Sequence, residues 1–177
     1  MRNLLFSALA LALPPQMKPG LLNLVAPQPG VSVSVDNFQA VPAREAYEAI
    51  IQEAADAYDL DPALIRSVIE TESAYNAVAV SRAGATGLMQ LMPGVASNLG
   101  VQNLLDPREN IMAGARLLRE LLDHHRGNLK MALASYNAGA KAVARYRRVP
   151  PFPETQAYVR KVTQLFNSNK ARQGTGD

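Results

Sequence analysis

The sequence predicts a mainly α-helical domain, and three observations carry that expectation. Apolar residues recur at i, i+3, i+4 and i+7 in successive segments. An Asp-Pro pair occurs twice, at Asp61-Pro62 and Asp106-Pro107, each an N-cap followed by a first-turn proline. Beyond residue 42 no alternating strand pattern recurs.

The chain has 177 residues, enough for one domain with a sizeable core and a short appendage. Its 48% hydrophobic content excludes a disordered chain, and its net charge of +3 supports only weak attraction to an anionic polymer. With no cysteine there is no disulfide, no thiolate metal site and no thiol nucleophile.

Residues 1–13 read as an export signal: Arg2 precedes an apolar run from Leu4 to Leu13 that is too short to cross a bilayer, with small-residue cleavage sites such as Ala10-Leu11-Ala12. Residues 14–41 read as a proline-rich linker, in which Val31 to Val35 alternates like one short strand. A folded domain is expected over 42–169 and a flexible tail over 170–177, with fraying from Asn167.

The first helix should run from Pro42 to Tyr58 on a stripe of Tyr47, Ile50, Ile51, Ala54 and Tyr58. The second should run from Pro62 to about Ser73. There Ile65, Val68, Ile69 and Glu72 share the apolar stripe, while Arg66, Ser67 and Glu70 lie on the opposite arc, where Glu70 can pair with Arg66. Glu72 therefore meets a partly apolar environment at a helix C-terminus, and both conditions raise a carboxyl pKa. Two readings fit that geometry equally: a general acid near neutral pH, or a carboxylate satisfied by the amides of the next loop.

Ser81 to Gly87 is too rich in small residues to pack a core and is expected to be a loop or tight hairpin, with Gly84 and Gly87 at positive φ or close approach. It lacks the GxxxxGK[ST] order of a phosphate loop. In the run that follows, Gln90 is the polar residue, and Met89 and Met92 fit either core filling or contact with a ligand groove. Pro93 to Leu99 should form a brief helix closed by Gly100.

The helix from Pro107 carries Ile111, Gly114, Ala115, Leu118, Leu121 and Leu122 inward and is expected to be the buried central element. Asn128 should cap the next helix, in which Leu129, Ala132, Leu133 and Tyr136 recur at helical spacing; Tyr136 fits a core aromatic or a site residue. His124 and His125 are adjacent, should point to different sides, and lack an i, i+4 partner for a metal. Lys141, Arg145, Arg147 and Arg148 form a basic strip, read as a solvated face or a contact for an acidic polymer. A last helix begins at Glu154-Thr155, with Tyr158, Val159, Val162, Leu165 and Phe166 inward.

Four ordered motifs resemble those of the soluble-type lytic transglycosylases, relatives of goose-type lysozyme: E-S-x-x-N-x-x-A-V-S-x-x-G-A-x-G-L-M-Q-L-M-P from Glu72, N-I-x-A-G-x-R-x-L from Asn110, A-S-Y-N-A-G from Ala134, and P-E-T-x-x-Y-V from Pro153. Ala77 and Ala140 stand where that family commonly has proline. The resemblance implies a lysozyme-like helical domain acting on peptidoglycan glycan strands. It implies Glu72 as the catalytic residue, protonating the bond between N-acetylmuramic acid and N-acetylglucosamine and then deprotonating the C6 hydroxyl, which closes a 1,6-anhydro ring. By the same resemblance Ser81, Gln90, Met92, Tyr136 and Glu154 bind substrate, with Ser73, Asn137 and Tyr158 in support.

No metal or organic cofactor is implied, the expected state is a monomer in the periplasm or cell envelope, and a partner in an envelope or secretion machine is compatible with it. A single catalytic carboxylate suits the absence of Asp and Glu between Ser73 and Leu105. Glu154 keeps open a two-carboxylate hydrolase of lysozyme type. A non-catalytic peptidoglycan-binding module is the third reading. No strand platform of interleaved aromatic and basic residues favours nucleic acid.

Overall fold

Three polar caps set the helical framework. In the computed structural model, which describes residues 44–173, the Asp61 carboxylate accepts the N–H of Ala63 at 2.9 Å, Asp106 that of Glu109 at 2.8 Å, and the Asn128 side chain that of Met131 at 3.2 Å. Each satisfies a donor that the first helical turn leaves without an internal partner. The helices they start are α2 (Pro62–Glu72), α4 (Pro107–His124) and α5 (Leu129–Ala138). The others are α1 (Glu48–Tyr58), α3 (Pro93–Asn98), α6 (Ala140–Tyr146) and α7 (Pro153–Gln173). The helix expected from Pro42 is regular only from Glu48, after a 3₁₀ turn at Glu45–Tyr47. Asp59, at φ 50°, ends α1.

α4 is the buried axis: Ile111, Ala115 and Leu118 are fully buried and Leu122 nearly so. α4 packs on α1 and α5, and α2 packs on α1 and α7. Among the described residues there is no regular strand; the Ser81–Gly87 segment is a tight turn held by isolated antiparallel bridges, Val80 with Thr86 and Thr86 with Leu91. Gly84 and Gly87 take φ of 88° and 81°, as the small-residue pattern predicts. No described helix is long and apolar enough to cross a membrane. The signal at 1–13, the linker at 14–41 and the strand at Val31 to Val35 lie outside the described residues.

Four expectations are corrected. Arg66 forks onto Glu48 of α1 and not onto Glu70, because α1 brings a carboxylate over that face of α2. Ser67 is fully buried: the covering helix α7 turns the arc read as solvent-facing into an interface. The tail does not fray from Asn167 or begin at 170, since α7 continues to Gln173 and Asn169 is buried, donating to Ser67 Oγ at 3.0 Å and accepting from Arg44 at 2.7 Å. The rings of His124 and His125 do not diverge; they meet edge to face with centroids 4.8 Å apart where α4 ends, and the His125 Nε2 is 2.7 Å from Ser135 Oγ.

Candidate active site

Glu72 is the last residue of α2 and lines a cleft of about 260 Å³. Ser81, Gln90, Met92, Tyr136 and Glu154 line the same cleft, together with Asn137, Ala83 and Ala85. Every residue to which the family resemblance assigns a catalytic or substrate-binding role therefore lines one cleft, brought there by three helices and a turn. Ala83 and Ala85 carry no signal beyond belonging to the small-residue segment, which leaves room for a ligand.

The Glu72 carboxyl has a pKa raised to about 7. Burial is the main cause; the Tyr158 hydroxyl and the charge of Lys161 oppose it, and the charge of Glu154 adds to it. Among the described residues no backbone N–H donates to this carboxylate, so the loop-capping alternative has no counterpart in the structure. A carboxyl half-protonated near neutrality can give a proton in one step and take one in the next.

Two tyrosines face it. Tyr136 donates its hydroxyl to the carbonyl of Met89 at 2.9 Å, and burial with the neighbouring Glu72 charge holds it well above the usual tyrosine range. The Tyr158 hydroxyl is buried against the Glu72 carboxyl, near enough to influence its titration, although the pair falls outside good hydrogen-bond geometry and the hydroxyl meets no other acceptor. Burial pushes the Tyr158 pKa up in turn, so it stands behind Glu72 as a neutral hydroxyl.

The turn forms the opposite wall. Ser81 Oγ accepts the N–H of Ala85 at 2.9 Å, which leaves its own proton for a ligand. The Gln90 side-chain amide donates to the carbonyls of Ala79 at 3.0 Å and Gly87 at 2.9 Å. Its nitrogen is thus committed to holding the turn, and only its carbonyl oxygen remains for substrate. Ala74, Tyr75 and Gln90 have φ of 49°, 65° and 48°, conformations that non-glycine residues adopt at a cost of about 1 kcal/mol or more each and that cluster here around the acid.

Of the two methionines that sequence periodicity left open, Met89 is fully buried in the core and Met92 is 43% exposed on the cleft. Ser73 Oγ lies 2.8 Å from the carbonyl of Leu88 and ties the end of α2 to the turn. Asn137 accepts the Thr155 hydroxyl at 2.7 Å, joining the end of α5 to the start of α7 beside Glu154.

Asn110 was not singled out for a role by sequence reasoning. It is fully buried and makes three hydrogen bonds to the turn and the segment before α4. The available signal was a polar residue interrupting the apolar stripe of α4. The basic residues of α6 and the loop after it are solvated and make no ion pair among the described residues. No group of His, Asp and Glu capable of holding a metal occurs among the described residues.

Residues 49–159 match the family model described as the transglycosylase SLT domain. A transglycosylase of Enterobacteria phage PRD1 is 51% identical over 82 residues, which cover 46% of this chain and 31% of that protein. A membrane-bound lytic murein transglycosylase F 1 of Alkalilimnicola ehrlichii is 37% identical over 117 residues, 59% of this chain and 24% of the relative. The fold superposes on the X-ray structure of an inactive mutant of the lytic transglycosylase Slt from Pseudomonas aeruginosa with a TM-score of 0.69 at 30% identity, covering 75% of this chain and 25% of that one. The chain thus spans about a quarter to a third of the length of these relatives.

Proposed function

The chain belongs to the transglycosylase SLT domain family, and from that premise we propose that it is a lytic transglycosylase of murein with Glu72 as its one catalytic acid and base. The observation that carries this reading is the Glu72 carboxyl itself, tuned to about 7 by burial inside a cleft that also holds Ser81, Gln90, Met92, Tyr136 and Glu154. Protonated Glu72 gives its proton to the glycosidic oxygen as the bond from C1 of N-acetylmuramic acid to that oxygen breaks, and N-acetylglucosamine leaves with a free hydroxyl. The resulting carboxylate takes the proton of the C6 hydroxyl, whose oxygen closes on C1. Glu72 ends protonated, no water is consumed, and the product is a 1,6-anhydro sugar.

Intramolecular attack gains from proximity, which is why one carboxylate suffices. Ser81 directs its free proton at an N-acetyl carbonyl, Met92 and the Tyr136 ring give the sugar an apolar seat, and Tyr158 steadies the ionised form of Glu72. Ser73 and Asn137 act through the walls: the first anchors α2 to the turn, the second anchors Glu154 on α7.

One observation favours a second reading: Glu154 supplies the same cleft with another carboxylate, as a lysozyme-type hydrolase needs. Digestion of purified murein by the wild-type chain and by Glu72→Gln, with mass analysis of the products, separates the two. Anhydro ends lighter by one water support the transglycosylase, and reducing ends alone overturn it. Retained lysis by Glu72→Gln removes the residue from the chemistry altogether. Murein lies outside the cytoplasmic membrane, so we infer that the protein acts there, a reading that the export signal expected at residues 1–13 supports.

A further inference from the structure

A second cavity, of about 410 Å³, is larger than the cleft and has no acidic residue in its lining. Val149 and Val159 line it with Gln156, and Lys130 and Arg160 stand at its edge. Neither cation makes an ion pair among the described residues, whereas Arg66, Arg108, Arg116, Arg119 and Lys170 all do. The surrounding stretch is acid-free: from Leu129 to Pro153 there is no Asp or Glu, while Lys130, Lys141, Arg145, Arg147 and Arg148 are all exposed. A cavity with an apolar wall, amide groups and two unneutralised cations suits a ligand that is part peptide and part carboxylate.

The cavity and the cleft are flanked by the same pair of helices. Asn137, near the end of α5, and Glu154, at the start of α7, line the cleft; Lys130, near the start of α5, and Arg160, further along α7, line the cavity. Asn137 follows Lys130 by seven positions on the helix, about 10 Å along the axis. An extended peptide of about four residues reaches about 14 Å, so a peptide hanging from a sugar in the cleft can span that distance.

Resting on the transglycosylase reading, we propose that the cavity between α5, Val149 and α7 is a subsite for the carboxylate-bearing stem peptides of murein, with Lys130 and Arg160 as its charge-recognising residues. It makes the enzyme selective for strands that still carry their peptides, and it acts on affinity and not on the bond-breaking step.

The test uses the full chain carrying Glu72→Gln, which binds without cutting, and measures its binding to insoluble murein of three kinds. One is intact, one has its peptide carboxyls capped as neutral amides, and one has been stripped of peptides by an amidase, leaving only the carboxylate on the sugar. Adding Lys130→Gln and Arg160→Gln is expected to weaken binding to intact murein about tenfold, to change binding to the capped and stripped forms by less than twofold, and to leave the melting temperature unchanged. An equal loss on all three forms, or no loss on intact murein, overturns the subsite. A loss on stripped murein as large as on intact murein assigns the carboxylate to the sugar and overturns the peptide. The transglycosylase reading fails on a separate result, the absence of anhydro products from the wild-type chain.

Discussion

The side-chain carbonyl of Asn110 accepts the backbone N–H of Met89 at 2.7 Å, while its amide donates to the carbonyls of Thr86 at 3.0 Å and Leu104 at 2.9 Å. One buried side chain on the central helix thus fixes the turn that carries Ser81 and Gln90. Asn110→Ala leaves the Met89 N–H and the Leu104 carbonyl without a partner, while the Thr86 carbonyl keeps the N–H of Leu91, and the expected cost is about 2–4 kcal/mol in urea unfolding. Displacement of the turn should also lower kcat/KM at least about tenfold. Asn110→Asp keeps the acceptor but sets a carboxylate against two carbonyls, so it should rescue neither quantity.

The two glycines of the turn should respond differently to alanine. Both have positive φ, but a Cβ at Gly84 meets open space, whereas one at Gly87 overlaps the Asn110 side chain and the Leu104 carbonyl. Gly84→Ala should cost about 1 kcal/mol, the penalty of a left-handed alanine alone. Gly87→Ala should cost more than twice that and lower activity as Asn110→Ala does, because it pushes on the same anchor. Equal thermal shifts for the two variants would show that the overlap is relieved at no cost.

How much of this was legible in the sequence follows from which signals are local. Caps and periodicity are local, so Asp61, Asp106, Asn128 and the inward stripe of α4 could be read directly, and Glu72 could be separated from Glu70 by a rotation of two residues. The partners across helices are not local. Nothing within α2 announces that Arg66 would find Glu48, or that α7 would cover Ser67. The helical period also left Tyr136 and the two methionines open, since a core residue and a cleft residue can occupy the same face. Only the assembly of α2, α5, α7 and the turn decides that Met92 faces the cleft and Met89 does not.

The raised pKa of Glu72 makes the site a source of instability. Its carboxyl titrates at about 7 folded against 4.5 for the ordinary group, so folding favours the protonated form. Below about pH 4.5 the residue is neutral in both states and costs nothing through ionisation; between about pH 4.5 and 7 the unfolded chain ionises while the folded one still holds its proton, so stability falls across that window and levels off above it. The shift corresponds to at most about 3 kcal/mol. Glu72→Gln should therefore be inactive yet more stable than wild type at pH 8, with the advantage shrinking towards pH 4.5. Denaturant unfolding at three pH values checks it, and a difference independent of pH would rule out burial of the charge as the cause.

Tyr158 sets where on the pH axis the acid works. Its hydroxyl favours the ionised carboxylate and holds the Glu72 pKa below the value burial alone would give. Tyr158→Phe removes that influence, so the pKa should rise and the alkaline limb of the kcat/KM profile should move to higher pH. Lys161→Met should move the limb the same way by a smaller step, because that side chain acts through its charge from an exposed position. A profile that loses height in Tyr158→Phe without moving would assign the hydroxyl to substrate contact and not to tuning.

Because α2 carries Glu72 and α7 carries Glu154 and Tyr158, the contact between these helices sets the width of the cleft. Its polar part is a buried chain in which Arg44 donates to Asn169 at 2.7 Å, Asn169 donates to Ser67 Oγ at 3.0 Å, and Ser67 donates to the Ala63 carbonyl at 2.6 Å. Asn169→Ala breaks the chain in the middle and leaves the Arg44 contact without its acceptor, which should cost about 1–3 kcal/mol. Ser67→Ala alone should cost less, since its hydroxyl otherwise bonds within its own helix. The double variant should fall short of the sum by about 1 kcal/mol, the coupling expected of groups in direct contact. A chain ending at Phe166 should lose at least as much stability as Asn169→Ala, together with kcat/KM, as α7 loosens its hold on α2. Unchanged melting of that shortened chain would mean that the last turns of α7 contribute nothing to the clamp.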